Sequence, residues 1–135
     1  MTRLFRTAIV GTGGIAHAHA KSMATLSDRA QVVAAVDIDP GRLAAFCDEW
    51  NIPHRYSSLT ELLAAEELNL VHLCTPPGFH KGQAIEALGS NVNVLSEKPP
   101  ALTLSDMDEI AEAEAASEAF FALCSSTALA RERRT

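Results

Sequence analysis

The sequence predicts an α/β fold of the doubly wound kind, with helices covering both faces of a parallel sheet. Three observations lead there. Apolar, β-rich runs recur at residues 7–10, 32–36, 70–74 and 92–95, each followed closely by Gly, Asp or Pro. Stretches with apolar residues three and four apart lie between them, at 14–26, 40–50, 59–67, 81–88 and 105–117. The runs are apolar throughout rather than alternating, as expected of strands buried on both faces.

Each element has a local reason. The first strand, Thr-Ala-Ile-Val, ends where Gly11 begins a glycine-rich turn, and a helix follows. The second strand ends at Asp37. Pro40 after Asp39 suits a first helical turn, and Leu43, Phe46, Cys47 and Trp50 then share one face. Ser57 or Ser58 caps the third helix. The fourth follows the loop 74–80, and the fifth begins near Ser105, with Asp108 completing a capping box and Met107, Ile110 and Ala111 facing inward. No internal repeat, low-complexity segment or linker interrupts the order.

Composition narrows the function classes. The 135 residues are 47% hydrophobic and 21% charged, which fits a globular domain and not a disordered chain. A formal charge of −6 gives no footing for nucleic acid or an anionic membrane surface. The N-terminus has no signal-peptide pattern, and the longest aliphatic run, 32–36, is too short to span a bilayer. Cys47, Cys74 and Cys124 are odd in number and widely spaced, so reduced thiols in a cytoplasmic protein are expected, with no metal-ligand or redox pair.

The first strand-to-helix turn reads IVGTGGIAHAHA. Gly11, Gly13 and Ala16 make the G-x-G-x-x-A dinucleotide fingerprint, and Thr12, Gly14 and Ile15 complete the turn. Gly11 permits the tight turn, Gly13 lets backbone approach a pyrophosphate, and Ala16 lets the helix pack near the strand. The N–H groups of the first helical turn then face the anion. Asp37 lies 21 residues beyond Ala16, where a carboxylate accepts both ribose hydroxyls and repels a 2′-phosphate. That favours NAD, with NADP possible. Arg42 is close enough to pair with such a phosphate, but surface charge is its expected role. CTPPGFH (74–80) and VLSEKPP (94–100) follow strands at the carboxyl edge, where ligands bind in such folds. Pro99 and Pro100 restrain the backbone beside Lys98.

These stretches together, GTGGIAHAH at 11–19, VDIDP at 36–40, CTPPGFHKGQAIEAL at 74–88 and VLSEKPPALT at 94–103, resemble the nucleotide-binding half of the glucose–fructose oxidoreductase / inositol dehydrogenase / MocA family. The resemblance runs from about residue 5 to 121, and Glu97-Lys98-Pro99 is its most specific mark. It implies a Rossmann-type domain of an oxidoreductase that passes hydride between nicotinamide and a secondary alcohol of a sugar or cyclitol. Carried over, Gly11, Gly13 and Ile15 serve the pyrophosphate, and Asp37 the ribose. Thr75, Pro76, His80 and Glu97 lie beside the cofactor, and Lys98 polarises the reacting oxygen. The Lys98–Pro99 peptide is expected to be cis. His19 is assigned to packing, His72 to the core or a sheet face, and His17, Lys21 and His54 to the surface. Pro77, where many members have Asn, removes one polar cofactor contact, and Asn91 stands where a helix-ending glycine is usual.

The resemblance also implies an antiparallel-sheet substrate domain, with the usual histidine base, that is absent from this sequence. Without it, turnover of a sugar or polyol is not expected, so a stand-alone dinucleotide-binding module without catalysis and an inactive truncated remnant stand as alternatives, and association between copies, which usually runs through that sheet, is left open. The expected organisation is a dinucleotide-binding domain over 1–123 and an atypical tail over 124–135. The tail reads CSSTALARERRT. A continuation common in the branch, Val-Phe-Gln-His-Arg-Phe-Gly-Ser-Gly-Ala, can be written in synonymous codons that, read one base later, give Cys-Ser-Ser-Thr-Ala-Leu-Ala-Arg-Glu; the other reading is a genuine alternative tail whose charged end, 131–134, is a solvated terminus. A frameshift near Leu123 is therefore expected.

Overall fold

Strand and helix alternate in the computed structural model, which describes residues 4–124. The order is β1 (Phe5–Val10), α1 (Gly14–Ala24), β2 (Ala30–Val36), α2 (Pro40–Trp50), β3 (His54–Tyr56), α3 (Leu59–Ala65), β4 (Leu70–Leu73), α4 (Pro77–Gly89), β5 (Asn93–Ser96), α5 (Leu104–Ala115) and β6 (Phe121–Leu123). The described strands form one parallel sheet in the order β3-β2-β1-β4-β5-β6. Chain direction across the sheet reverses between β1 and β4, so a crevice opens at their carboxyl ends. The doubly wound architecture is as the sequence predicts.

Alternation along the central strands builds two cores. Ala8 and Val10 of β1 join Val71 and Leu73 of β4 and Leu59, Leu62, Ala84, Leu88 and Ile110 of α3, α4 and α5. Ile9 points the other way, into Ala16 and Ala20 of α1 and Leu43, Phe46 and Cys47 of α2. The residues 16 and 20 are alanines at the contact, which lets α1 approach the sheet closely. Pairing of β1 with β2 slips by one residue between Thr7 and Ala8, leaving Val33 as the extra residue of a bulge. That slip explains why consecutive Val33 and Ala34 both belong to the first core.

Two local expectations need correction, one open choice is decided and one strand is added. Helix α4 begins at Pro77, not near residue 81, because a proline lacks only an N–H that the first turn does not use. Helix α5 is capped by Thr103, whose hydroxyl accepts from Asp106 N, so the Ser105–Asp108 box does not form. Of the two serines before α3, Ser58 is the cap. Strand β3 has no apolar alternation to reveal it, yet it pairs with β2 at the sheet edge. Asn91 does adopt positive φ, at 59°, after α4. No helix among the described residues is long and apolar enough to cross a membrane. Of the tail expected over 124–135, all but Cys124 lies outside the described residues.

Candidate functional site

The loops after β1, β2, β4 and β5 converge at the carboxyl edge of the sheet. Gly11 turns the chain off β1 at φ 93°, a conformation that side chains rarely adopt. A Cβ there would lie 2.9 Å from both the carbonyl carbon and oxygen of Cys74. This glycine is therefore required by the packing of the turn against the end of β4. Gly13 is different: a Cβ built on it, or on Gly14, meets nothing within 4 Å. Gly13 is also the N-cap of α1, and no side chain caps that helix end. A helix start without a side-chain cap leaves first-turn N–H groups available to an anion, although Ala16 N already donates to Gly13 O at 3.1 Å. Ile15, in the same turn, is 46% exposed.

Asp37, at the end of β2, is buried and held from several sides. Its Oδ2 accepts from Thr12 N at 3.0 Å, Thr12 Oγ1 at 2.6 Å and Arg42 Nε at 3.0 Å. Its Oδ1 accepts from Asp39 N at 2.9 Å and an Arg42 terminal nitrogen at 3.0 Å. Burial alone opposes the charged form. The bonds from Arg42 and Thr12, with the two backbone N–H groups, outweigh it and hold the carboxyl well below the usual carboxylate range. Arg42 is thus not simple surface charge: its fork grips Asp37 bidentately while its side chain stays 53% exposed. Thr12 is buried and spends its hydroxyl on Asp37, so it positions the carboxylate from below.

On the β4 side, Thr75 Oγ1 donates to Gln83 Oε1 at 2.6 Å, and exposed Pro76 precedes α4. His80 is only 1% exposed. Its Nε2 lies 2.5 Å from Thr75 O and its Nδ1 2.8 Å from Pro99 O. Both ring nitrogens are taken by backbone, so what His80 does is tie the loop after β4 to the loop after β5. Lys98 is exposed on that second loop, and the Lys98–Pro99 peptide is cis, as the resemblance implies. The structure therefore brings the first turn, Asp37, Thr75, Glu97 and Lys98 to one edge. It keeps His80 beneath them.

A polar chain absent from the sequence reading runs under this edge. His72 of β4 faces α1, where its Nδ1 is 3.0 Å from His19 Nδ1, and His19 Nε2 is 3.2 Å from Glu97 Oε2. Burial, then the neighbouring His19, pushes His72 down to about 3, so it is neutral. Its Nε2 is buried with no hydrogen-bond partner among the described residues. Cys124, which the spacing of cysteines left unconnected, comes to the same place through β6. Nothing in the local sequence of His19, Glu97 and Cys124 signals this meeting; parallel strand order alone produces it. The histidines assigned to the surface also have partners. Trp50 Nε1 donates to His17 Nδ1 at 2.9 Å, and His54 pairs with Glu66 at 2.8 Å.

Residues 5–123 match the model of the GFO/IDH/MocA oxidoreductase family, described as its NAD-binding Rossmann fold. The chain belongs to this family. It is 32% identical over 110 residues to inositol 2-dehydrogenase of Salmonella typhimurium, covering 81% of this chain and 33% of that protein. With glucose-6-phosphate 3-dehydrogenase of Bacillus subtilis it shares 35% identity over 98 residues, 73% of this chain and 27% of that one. Its fold matches the WlbA dehydrogenase of Bordetella pertussis, solved with NADH and UDP-GlcNAcA, at a TM-score of 0.87 and 31% identity. That match covers 92% of this chain and 36% of the other. The chain thus spans about one third of the relatives it matches. The geometry fits the family's NAD-binding description: an uncapped helix N-terminus, open space before Gly13 and Gly14, and a fixed carboxylate at the end of β2.

Proposed function

We propose that this chain is the dinucleotide-binding half of a dehydrogenase acting on a secondary alcohol of a sugar or cyclitol. The observation that carries the reading is the contrast within one turn. Gly11 is locked by its own fold, whereas Gly13 and Gly14 border open space at an uncapped helix end. That space is what a pyrophosphate fills, and its negative charge satisfies the orphan N–H groups.

Each residue then has a task. Gly13, Gly14 and Ile15 offer backbone N–H groups to the pyrophosphate. Asp37 accepts the adenosine ribose hydroxyls, with Thr12 fixing its orientation. For this the exposed Arg42 fork swings aside, because Asp37 has no acceptor capacity left while Arg42 holds it. Thr75, Pro76 and Glu97 border the nicotinamide end. Lys98 donates to the substrate oxygen and stabilises the negative charge that grows there as its proton leaves. Nicotinamide, when bound, supplies the hydride acceptor or donor. His80 serves by holding the Thr75 and Pro99 backbones together.

The described residues contain no histidine–aspartate pair beside Lys98. Binding without turnover is therefore the expected behaviour of the 135 residues on their own, and catalysis calls for a substrate-binding part like the one the resemblance implies. The test is titration with NADH and NADPH, followed by nicotinamide fluorescence. NADH binds more tightly in the wild type, and Asp37→Ser narrows the difference by roughly tenfold, about 1.4 kcal/mol. An unchanged ratio removes Asp37 from its role. Turnover of polyols by this chain alone would overturn the division of labour.

A further inference from the structure

We infer that His19, Glu97 and Cys124 form a binding site for one borderline divalent cation of the zinc or cobalt class. The inference does not rest on dinucleotide binding, although Glu97 also borders the proposed nicotinamide end. One ligand atom from each residue, the His19 nitrogen, a Glu97 oxygen and Cys124 Sγ, all lie within 4.8 Å of one another. The His19 Nε2 to Glu97 Oε2 separation is 3.2 Å. Ligands about 2.0–2.3 Å from a tetrahedral zinc sit a little over 3 Å apart, so small rotations close the set. Imidazole, carboxylate and thiolate together select zinc or cobalt over magnesium or calcium, which take oxygen ligands. Three protein ligands leave a fourth position for water, the open arrangement of reactive zinc sites.

Three elements bring these donors together. His19 comes from α1, Glu97 follows β5, and Cys124 follows β6, where its N–H donates to Ser96 O at 2.8 Å. Backbone pairing therefore fixes both flanks of the site. His19 is buried, and its ring is oriented from behind by His72 Nδ1 at 3.0 Å. A metal-bound imidazole usually gives its other N–H to a carboxylate, a carbonyl or water; here the His72 ring nitrogen takes that place and sets the tautomer. Glu97 and Cys124 are half-buried, which leaves the ion a path in.

Binding displaces one proton, from the Cys124 thiol to solvent, with no change of oxidation state. It also requires His19 to carry its ring hydrogen on Nδ1, donated to His72 Nδ1. The His72 hydrogen then sits on Nε2, which is buried without a partner among the described residues. That unpartnered N–H weakens binding relative to a site with a complete outer shell.

The test is titration of the full chain with Co²⁺ under reducing, oxygen-free conditions. Expected are a thiolate-to-cobalt charge-transfer band in the near ultraviolet and intense visible bands of four-coordinate cobalt. Both saturate at one equivalent and bleach on addition of Zn²⁺. Cys124→Ser abolishes the charge-transfer band, Glu97→Gln weakens cobalt binding at least tenfold, and the double variant Cys47→Ser/Cys74→Ser leaves the spectrum intact. Circular dichroism of each variant establishes that the fold is kept, which half-buried Glu97 and Cys124 permit. A folded chain that gives no cobalt band, or a band that survives in Cys124→Ser, overturns the assignment.

Discussion

Two glycines two residues apart have opposite reasons to be glycine, and exchanging each for alanine separates them. At Gly11 a side chain would have to adopt a positive φ of 93°. Its Cβ would lie 2.9 Å from the Cys74 carbonyl, which belongs to the backbone at the end of β4 and cannot step aside. The backbone strain costs about 1–2 kcal/mol and the overpacking about 1–3 more. Gly11→Ala is therefore expected to lose about 2–5 kcal/mol, a fall in Tm of roughly 10–20 °C for a domain of this size. Gly13 has φ −81° and ψ −163°, open to any residue, with nothing within 4 Å of an added Cβ. Gly13→Ala should keep the wild-type Tm or gain slightly from a stiffer unfolded chain. The same methyl group stands where the pyrophosphate approaches, and the same overpacking cost, now charged to binding, weakens NADH about 5- to 150-fold. Thermal unfolding and NADH titration on both variants provide the assay. The reasoning is refuted if Gly13→Ala binds NADH as the wild type does, or if Gly11→Ala unfolds at the wild-type temperature.

Two further outcomes follow from the buried groups. His72 is pushed down from 6.5 to about 3 in the folded chain, so protons bind the unfolded chain first. Its share of stability is intact above pH 6.5 and is lost progressively as the pH falls toward 3. His72→Leu should show a shallower loss of Tm between pH 6.5 and 4; parallel curves for the two proteins would remove His72 from this role. Burial, followed by Glu97 and Cys124, pushes the Cys74 thiol up to about 12, and burial also raises Cys47. At pH 8 a thiol reagent should leave both untouched in the folded chain and modify Cys124 slowly, with all three reacting on unfolding. Rapid modification of Cys74 in the folded protein would show that the turn after β1 does not cover it.

The sequence made the architecture legible because strands buried on both faces leave continuous apolar runs, and the glycine turn leaves a spacing. Strand β3 left neither: its three residues, His54, Arg55 and Tyr56, are at an edge and not wholly buried. The start of α4 was hidden because two prolines read as a loop, although a proline fits the first helical turn. At the site, the residues proposed to meet the cofactor by backbone were readable from their motif. The residues that act on other residues were not. Thr12 and Arg42 reach Asp37 through side chains 25 and 5 positions away, and His80 binds carbonyl groups on two loops. Such contacts have no period or spacing, only a common place in the fold. His19, Glu97 and Cys124 are the extreme case, since three distant segments meet there.

The central claim is that the uncapped start of α1 holds the anionic centre of a dinucleotide. Amide hydrogen exchange, measured residue by residue with and without saturating NADH, tests it most directly. Protection should appear at Gly13, Gly14 and Ile15, at the uncapped start of α1, while Val10 and Ala35 in the sheet stay as they are. Saturable NADH binding that leaves those three amides unchanged, or no saturable binding of NADH or NADPH to the folded chain, contradicts it.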